Sequence, residues 1–322
     1  MARMPRMPKL HSASSAPRIS LVRMRYHTAD IFTSTRFGGN QLAVLPDARG
    51  LTDEQMLAIT REFNYSETTF VFPAENQGNR RRVRIFTPGG EVPFAGHPTV
   101  GTAHVLAAIG DVALAGPETQ IVLDEKVGPV PVTIRSENGK PTFCQFSVAK
   151  LPEVGPPLPS RSTLAQCLSI DEGDLLDGAW MPQIVSCGLE FAFVPVRDRS
   201  VVARSRLHLE SWEKHLANTL GQAVMIFAMD AEDPRHQVRA RMFAPGFGVP
   251  EDPATGSACA ALGGYLAARS KQEGTHRWVV EQGYEMGRPS LIEVEADREG
   301  GAITAVRVGG ASVMVCEGEI NV

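Results

Sequence analysis

"RIFTPGGEVPFAGHPTVGTAHVLAA" runs from Arg84 to Ala108, and "RMFAPGFGVPEDPATGSACAALGGYLAA" runs from Arg241 to Ala268. Both open Arg-x-Phe-x-Pro-Gly, and the two arginines stand 157 residues apart. Val92-Pro93 answers Val249-Pro250 at the same spacing. After a two-residue deletion the match resumes at a separation of 155, where His97-Pro98 answers Asp252-Pro253 and Gly101-Thr102-Ala103 answers Gly256-Ser257-Ala258. Chance likeness between Gly/Pro-rich loops does not reproduce a strand end, a turn and a helix start in one order. The repeat predicts two related halves, each built on a strand, loop and helix unit.

The helices expected in these units, Thr99 to Ile109 and Ala254 to Ala268, carry almost no charge before their ends. A helix without a polar face must be surrounded by protein. Gly101, Ala103, Gly256, Ala258, Ala260, Gly263 and Gly264 keep it thin enough for close neighbours. Elsewhere the chain shows short β-rich runs: "IVLDEKVGPVPVTIR", "TFCQFSV", "EFAFVPV", "AVMIFAM", "SLIEVEA" and "AITAVRVGG". Their spacing between turn signals predicts sheets. The expected fold class is α+β, two pseudo-symmetric domains that each curl a sheet around one buried helix. Residues 24–150 form the first domain and 160–322 the second, with 151–159 as linker. "LPEVGPPLPS" (Leu151 to Ser160) marks that boundary with its prolines. The last strand is free to cross back to the first domain. One further helix, Thr52 to Phe63, opens with the capping box Thr52-x-x-Gln55 and shows an apolar stripe of Met56, Ile59 and Phe63.

Composition narrows the function classes. In 322 residues, 43% are hydrophobic and 21% charged, and the net charge is -4. That balance argues against a nucleic-acid-binding surface. No apolar stretch approaches the roughly 18 residues that span a bilayer. The five cysteines (Cys144, Cys167, Cys187, Cys259 and Cys316) are odd in number and include no CxxC pair. They form neither a zinc nor a disulfide framework, so a reducing, cytoplasmic setting is expected. Residues 1–23 hold Arg3, Arg6, Lys9, Arg18 and Arg23 but no acid. This composition suits a transit peptide, but Pro5, Pro8 and Pro17 oppose the helix such a peptide needs. The expectation is a disordered extension, or an upstream start codon, ahead of a domain that begins near Met24.

Chemistry concentrates at the helix starts. Pro98 and Pro253 are read as first helical residues, where the missing N–H costs nothing. Each follows a titratable residue, His97 or Asp252. Two readings of Asp252 stand at this point, a helix cap and a site residue. The unpaired N–H groups of two helix starts facing one cleft would bind an anion, so a small carboxylate-bearing substrate is expected. Thr255, Gly256 and Ser257 can supply hydroxyl and backbone donors. A third acid, Glu67 in "NYSETTFVFP" (Asn64 to Pro73), sits at the head of a strand-like run. It reads either as an edge-strand acid facing water or as a base with a raised pKa, desolvated near Tyr65, Phe70 and Phe94.

"DIFTSTRFGGNQLAV" (Asp30 to Val44), "NYSETTFV", "TPGGEVPFAGHPTVG" and "EDPATGSA" together resemble the signatures of the PhzF-like (phenazine biosynthesis) family, in order. The resemblance spans the chain from Met24 onward. It implies a diaminopimelate-epimerase-like fold, a homodimer, and an isomerase that uses no metal, nucleotide or organic cofactor. In that family a glutamate in the Ser-Glu-Thr motif shuttles a proton between carbons of a dihydro-hydroxyanthranilate. By resemblance that role falls on Glu67, with His97 and Asp252 in support and Ser66, Gly96 and Ser257 lining the substrate site. A one-base epimerase and a ligand-binding homologue without activity are the alternatives. Two departures stand out. Gly39-Asn40-Gln41 replaces the usual Gly-Asn-Pro, a change expected to touch a turn and not the chemistry. The cysteine pair of related epimerases, one before each helix, is replaced by His97 and Asp252, while Cys259 falls inside a helix and reads as core. Two-thiol racemisation is thereby disfavoured.

Overall fold

The computed structural model describes residues 23–74 and 81–322. The extension expected over 1–23 therefore lies outside the described residues except for Arg23, which opens the first strand. The first half runs β1 (Arg23–Ile31), β2 (Asn40–Leu45), α1 (Asp53–Phe63), β3 (Glu67–Pro73), β4 (Arg81–Thr87), β5 (Gly90–Val92), α2 (Gly96–Ala108), β6 (Glu118–Glu125), β7 (Gly128–Glu137) and β8 (Lys140–Ser147). The second runs β9 (Glu153–Val154), α3 (Arg161–Leu168), β10 (Gln183–Ser186), β11 (Glu190–Pro195), α4 (Arg199–Arg204), α5 (Leu209–His215), β12 (Val224–Ala228), β13 (Val238–Ala244), β14 (Val249–Asp252), α6 (Gly256–Ala267), β15 (Gly274–Gln282), β16 (Ser290–Glu299), β17 (Ala302–Gly310) and β18 (Ser312–Asn321).

The halves repeat one pairing scheme. β2 lies parallel to β3, which is antiparallel to β4; β4 is antiparallel to β5 and parallel to β6. β11, β12, β13, β14 and β15 repeat these relations in the same order. The fold is mixed α+β, a curled sheet around a central helix in each half. The runs read as strands from sequence are strands, and "IVLDEKVGPVPVTIR" is the β6–β7 hairpin. Two pairings tie the halves together: β8 with β17, and β18 with β1 along its whole length. The linker is itself engaged, because β9 pairs with β10 and Pro152 packs on Gly264 of α6.

α2 and α6 are the predicted charge-free helices. Every residue of α2 from Gly96 to Ala107 is buried, and in α6 only Ser257 is not. Gly101 touches Ile31 and Leu42, and Gly263 touches Val294. Small residues thus let the strands close on the helix from all sides.

The helix starts differ from the sequence expectation. α2 begins at Gly96, with Ala95 as its N-cap, so Pro98 is its third residue. α6 begins at Gly256, with Thr255 as its cap, so Pro253 and Asp252 lie before the helix. The equivalence of the two segments changes with them. Arg84 binds Glu91 through both guanidinium nitrogens of a fork, and Arg241 binds Glu251 in the same way. From these pairs onward the separation is 160, so Gly96 answers Gly256, His97 answers Ser257 and Ala95 answers Thr255. The second half carries a three-residue insertion in the β13–β14 turn, where a 3-10 turn occupies Pro245–Phe247, and not a deletion. His97 and Asp252 are therefore not partners in the repeat. The positions before the helices, assigned to them from sequence, hold Ala95 and Thr255.

α1 matches its prediction. Thr52 and Gln55 make both bonds of the capping box, and Met56 and Ile59 are buried. Asn64 ends the helix in the left-handed conformation (φ 53°), which asparagine tolerates better than most residues. Three residues later the chain enters β3 at Glu67.

Candidate active site

Glu67 stands at the head of β3, and its side chain is 16% exposed. Its Oε2 lies 3.5 Å from Nε2 of His97, and among the described residues neither atom has another protein partner. On the other side of the imidazole, Nδ1 is 3.2 Å from the Asn40 amide nitrogen. That amide donates to Asp252 Oδ1 (2.8 Å) and to the Ala254 carbonyl (2.9 Å). Ser66 donates to Asp252 Oδ1 and Thr255 to Oδ2. Gln282, wholly buried, donates to the Asp252 carbonyl and the Thr255 hydroxyl, and accepts from the Thr255 N–H. One hydrogen-bonded network thus joins strand ends of both halves.

The electrostatics follow from burial and donor supply. Burial raises Glu67 well above the usual carboxyl range, and the charge of Asp252 raises it further. Burial also pushes Asp252 up to about 6, opposed by its bonds from Thr255, Asn40 and Ser66, with Glu251 adding to the rise. Two carboxyl groups this close do not both ionise readily. Among the described residues Asp252 has three donors and keeps the charge, and Glu67 has none and keeps the proton at rest. His97 is pushed down to about 3 by burial, only partly offset by a hydrogen bond to the Gln41 backbone, so its ring is neutral.

Glu67 and Asp252 face a cavity of about 70 Å³ that Ser66, Thr255 and Ser257 also line. Its walls are apolar: Val92, Phe94, Leu189, Phe191, Met242, Phe247 and Val249, and among the described residues no lysine or arginine lines it. His97 stands behind Glu67. Gly96 and Gly256 are not in the lining but where the helix starts touch. A Cβ on Gly96 would sit 2.6 Å from backbone atoms of Gly256 and Ser257. The first intrahelical bond of α6 is Cys259 N–H to Thr255, leaving the N–H groups of Gly256, Ser257 and Ala258 unused within the helix.

Some sequence expectations need correction. Of the aromatic residues placed around Glu67, only Phe94 lines the cavity. Phe70 is on the opposite face of β3, in the core beneath α1 with Met56 and Phe86. Tyr65 bonds Gln41 and packs on Phe63. Gly39-Asn40-Gln41 is more than a turn. Gly39, at φ 63°, delivers the chain into β2, and Asn40 is the bridge between His97 and Asp252. Gln41 pairs with Asp30 across the ladder. Asn40 had been in view within a quoted motif; Gln282 and the walls from the second half had no local signal. Cys259 is buried within α6 and burial raises its thiol, so it is core.

A family model described as phenazine biosynthesis-like protein matches residues 29–318. The chain belongs to the phenazine biosynthesis-like family. It is 34% identical over 295 residues to trans-2,3-dihydro-3-hydroxyanthranilate isomerase of Pseudomonas aeruginosa, covering 91% of this chain and 98% of that one. It is 36% identical over 299 residues to an uncharacterized isomerase of Mesorhizobium japonicum, covering 92% and 98%. Among solved structures, a phenazine biosynthesis protein of Bacillus anthracis, PhzF family, superimposes with a TM-score of 0.84 at 25% identity over 94% of this chain and all of that one. A hydroxyproline epimerase of Agrobacterium vitis shares the fold, with a TM-score of 0.62 at 14% identity over 93% of both chains. The family places the chain among isomerases. Among the described residues no helix is long and apolar enough to cross a membrane.

Proposed function

We propose that this enzyme moves a proton between two carbons of a small unsaturated carboxylic acid, with Glu67 as the acid/base. The observation that carries the reading is the Glu67–Asp252 pair, two carboxyls on one apolar cavity with unequal donor supply. An ordinary carboxylate is too weak a base to take a proton from carbon. Burial raises its proton affinity and narrows that gap. Glu67, protonated at rest, gives its proton to one carbon and, as the carboxylate so formed, takes one from another; it ends as it began, so no electrons are exchanged and no cofactor enters the scheme. His97, neutral and within 3.5 Å, can hydrogen-bond Glu67 as its charge changes. Asp252 stays ionised and keeps the shared proton on Glu67. The unused N–H groups and the Ser257 hydroxyl at the α6 start would hold the substrate carboxylate. The apolar walls suit a flat ring carrying one carboxylate, a class that includes the dihydro-hydroxyanthranilate named for the Pseudomonas relative. A cytoplasmic homodimer completes the reading; four of the five free thiols are buried, and sedimentation at low concentration tests the dimer.

Deuterium wash-in from D2O during turnover of a panel of unsaturated cyclic carboxylates tests the chemistry. The wild-type protein incorporates deuterium, and Glu67→Gln loses roughly 10²- to 10⁴-fold of the rate. No exchange with any acid of the panel, or undiminished exchange in the variant, would overturn the proposal.

A further inference from the structure

Glu125 ends β6 beside the start of α2, is 6% exposed, and has no part in the chemistry proposed above. Its Oε1 lies 2.7 Å from the Thr99 hydroxyl oxygen, which lies 2.8 Å from the Ala95 carbonyl oxygen. A hydroxyl has one hydrogen to give. Thr99 gives it to the carbonyl four residues back, the habitual partner of a helical threonine. The second short bond then needs Glu125 as its donor, so the carboxyl is un-ionised. Its other oxygen, Oε2, is buried without a partner among the described residues. That too suits a neutral acid.

The repeat supplies independent support. Arg84 and Arg241 are equivalent through their glutamate forks, so Arg82 answers Arg239. Across the parallel ladders Arg82 pairs with Asp124, and Arg239 with Glu281. The next residue on each strand is Glu125 in the first half and Gln282 in the second. Gln282 is the buried amide that holds Asp252 and Thr255 at the start of α6. One structural position, filled by an amide in one half and a carboxylic acid in the other, meets the start of a central helix both times.

We propose that Glu125, as a neutral acid, is a positioning residue that fixes the first turn of α2 through Thr99 and Ala95, as Gln282 fixes the start of α6. Ala95 lines the cavity, and His97 stands on the same turn. Ionising Glu125 would turn the Thr99 hydroxyl from Ala95 toward the carboxylate and loosen that turn, leaving the Thr99 N–H as that residue's remaining bond to Ala95. The charged side chains that share a pocket with Glu125 are Arg82 and Arg84 on β4, Glu91 on β5, Asp124 on β6 and Lys126 just beyond it, and His97 stands on the first turn of α2. Burial raises Glu125 to about 8.

The test uses the full chain labelled with 13C at glutamate carboxyls and 15N at histidine, titrated by NMR without substrate. Comparison with Glu125→Gln assigns the Glu125 carboxyl. The expected result is a midpoint near 8 and a matching step in the His97 ring resonances that Glu125→Gln abolishes. A Glu125 midpoint in the ordinary carboxyl range, or a His97 step unchanged in the variant, would overturn the proposal. In the deuterium assay, Glu125→Gln retains the wild-type rate at neutral pH within about 2-fold and loses an alkaline decline, whereas Thr99→Val falls about 10-fold at every pH. An alkaline decline shared by wild type and Glu125→Gln also counts against it. The NMR result stands apart from the assigned reaction, so failure to find a substrate and failure of this proposal are distinguishable.

Discussion

Gly96→Ala is the smallest change that drives the two helix starts apart. The added Cβ would lie 2.6 Å from Gly256 C and Ser257 N and 2.7 Å from Gly256 Cα. Ordinary contact begins at 3.4 Å, so the starts must separate by roughly 0.8 Å. All three clashing atoms are backbone, so no side chain can rotate away. Gly96 has no left-handed φ, so the contact is the whole cost. In an open helix Gly→Ala stabilises by about 1 kcal/mol; here the sign reverses, to a loss of about 1–3 kcal/mol. The separation also moves Asp252, Thr255 and Ser257 away from Glu67 and His97, because the two sets belong to different halves. Misplacement near 1 Å costs about 10²-fold in rate. Urea denaturation and deuterium exchange read the two effects. Gly263→Ala is the control: its clash is with a Val294 methyl at 2.7 Å, away from the cavity, so it lowers stability and spares the rate. Wild-type exchange in Gly96→Ala, or a raised denaturation midpoint, would refute the reasoning.

Asn40→Leu removes the donor to Asp252 and Ala254 and leaves both acceptors buried; a loss of about 2–3 kcal/mol in denaturation and at least about 10-fold in exchange is expected. Glu125→Gln changes the pH dependence of stability. The folded value is raised from 4.5 to about 8, so the wild-type chain loses stability as pH rises through that window. The variant, measured against wild type by denaturation, gains on the order of 5 kcal/mol from pH 4 to pH 9. In the native protein iodoacetamide labels Cys316 alone, because Cys144, Cys167, Cys187 and Cys259 are buried; mass spectrometry after labelling checks it, and native modification of Cys259 would contradict the core assignment.

The repeat was legible because it is written in residues that shape backbone, the Pro-Gly turns and the thin helices. Its register was not. Pro98 suggested a first helical position, yet the N–H groups of the whole first turn lack intrahelical partners, so a proline is tolerated at its third residue. Neither helix has a side-chain cap to mark the start. The fork pairs of Arg84 and Arg241 set the true equivalence, and only the folded chain shows them. Glu67, Ser66, Asp252, Thr255 and Ser257 could be gathered from sequence because each lies in a local motif. Phe70 was misplaced although strand alternation puts it opposite Glu67. Asn40 and Gln282 escaped for another reason. Asn40 meets Asp252 across 212 residues of chain, and no local pattern encodes such a meeting.

The pairing of β18 with β1 has a consequence for biosynthesis. Arg23 faces Asn321 and Ile31 faces Ser312, so β1, the first described strand, waits for β18, the last described. While the second half is being translated, β1 has β2 on one edge and an open ladder on the other. An open edge invites pairing with another nascent chain. The half that carries Glu67 and His97 thus closes only once β18 has been made, and it closes with a strand encoded beyond Asp252. Loss of β18 by an early stop codon would therefore strike the first half of the molecule.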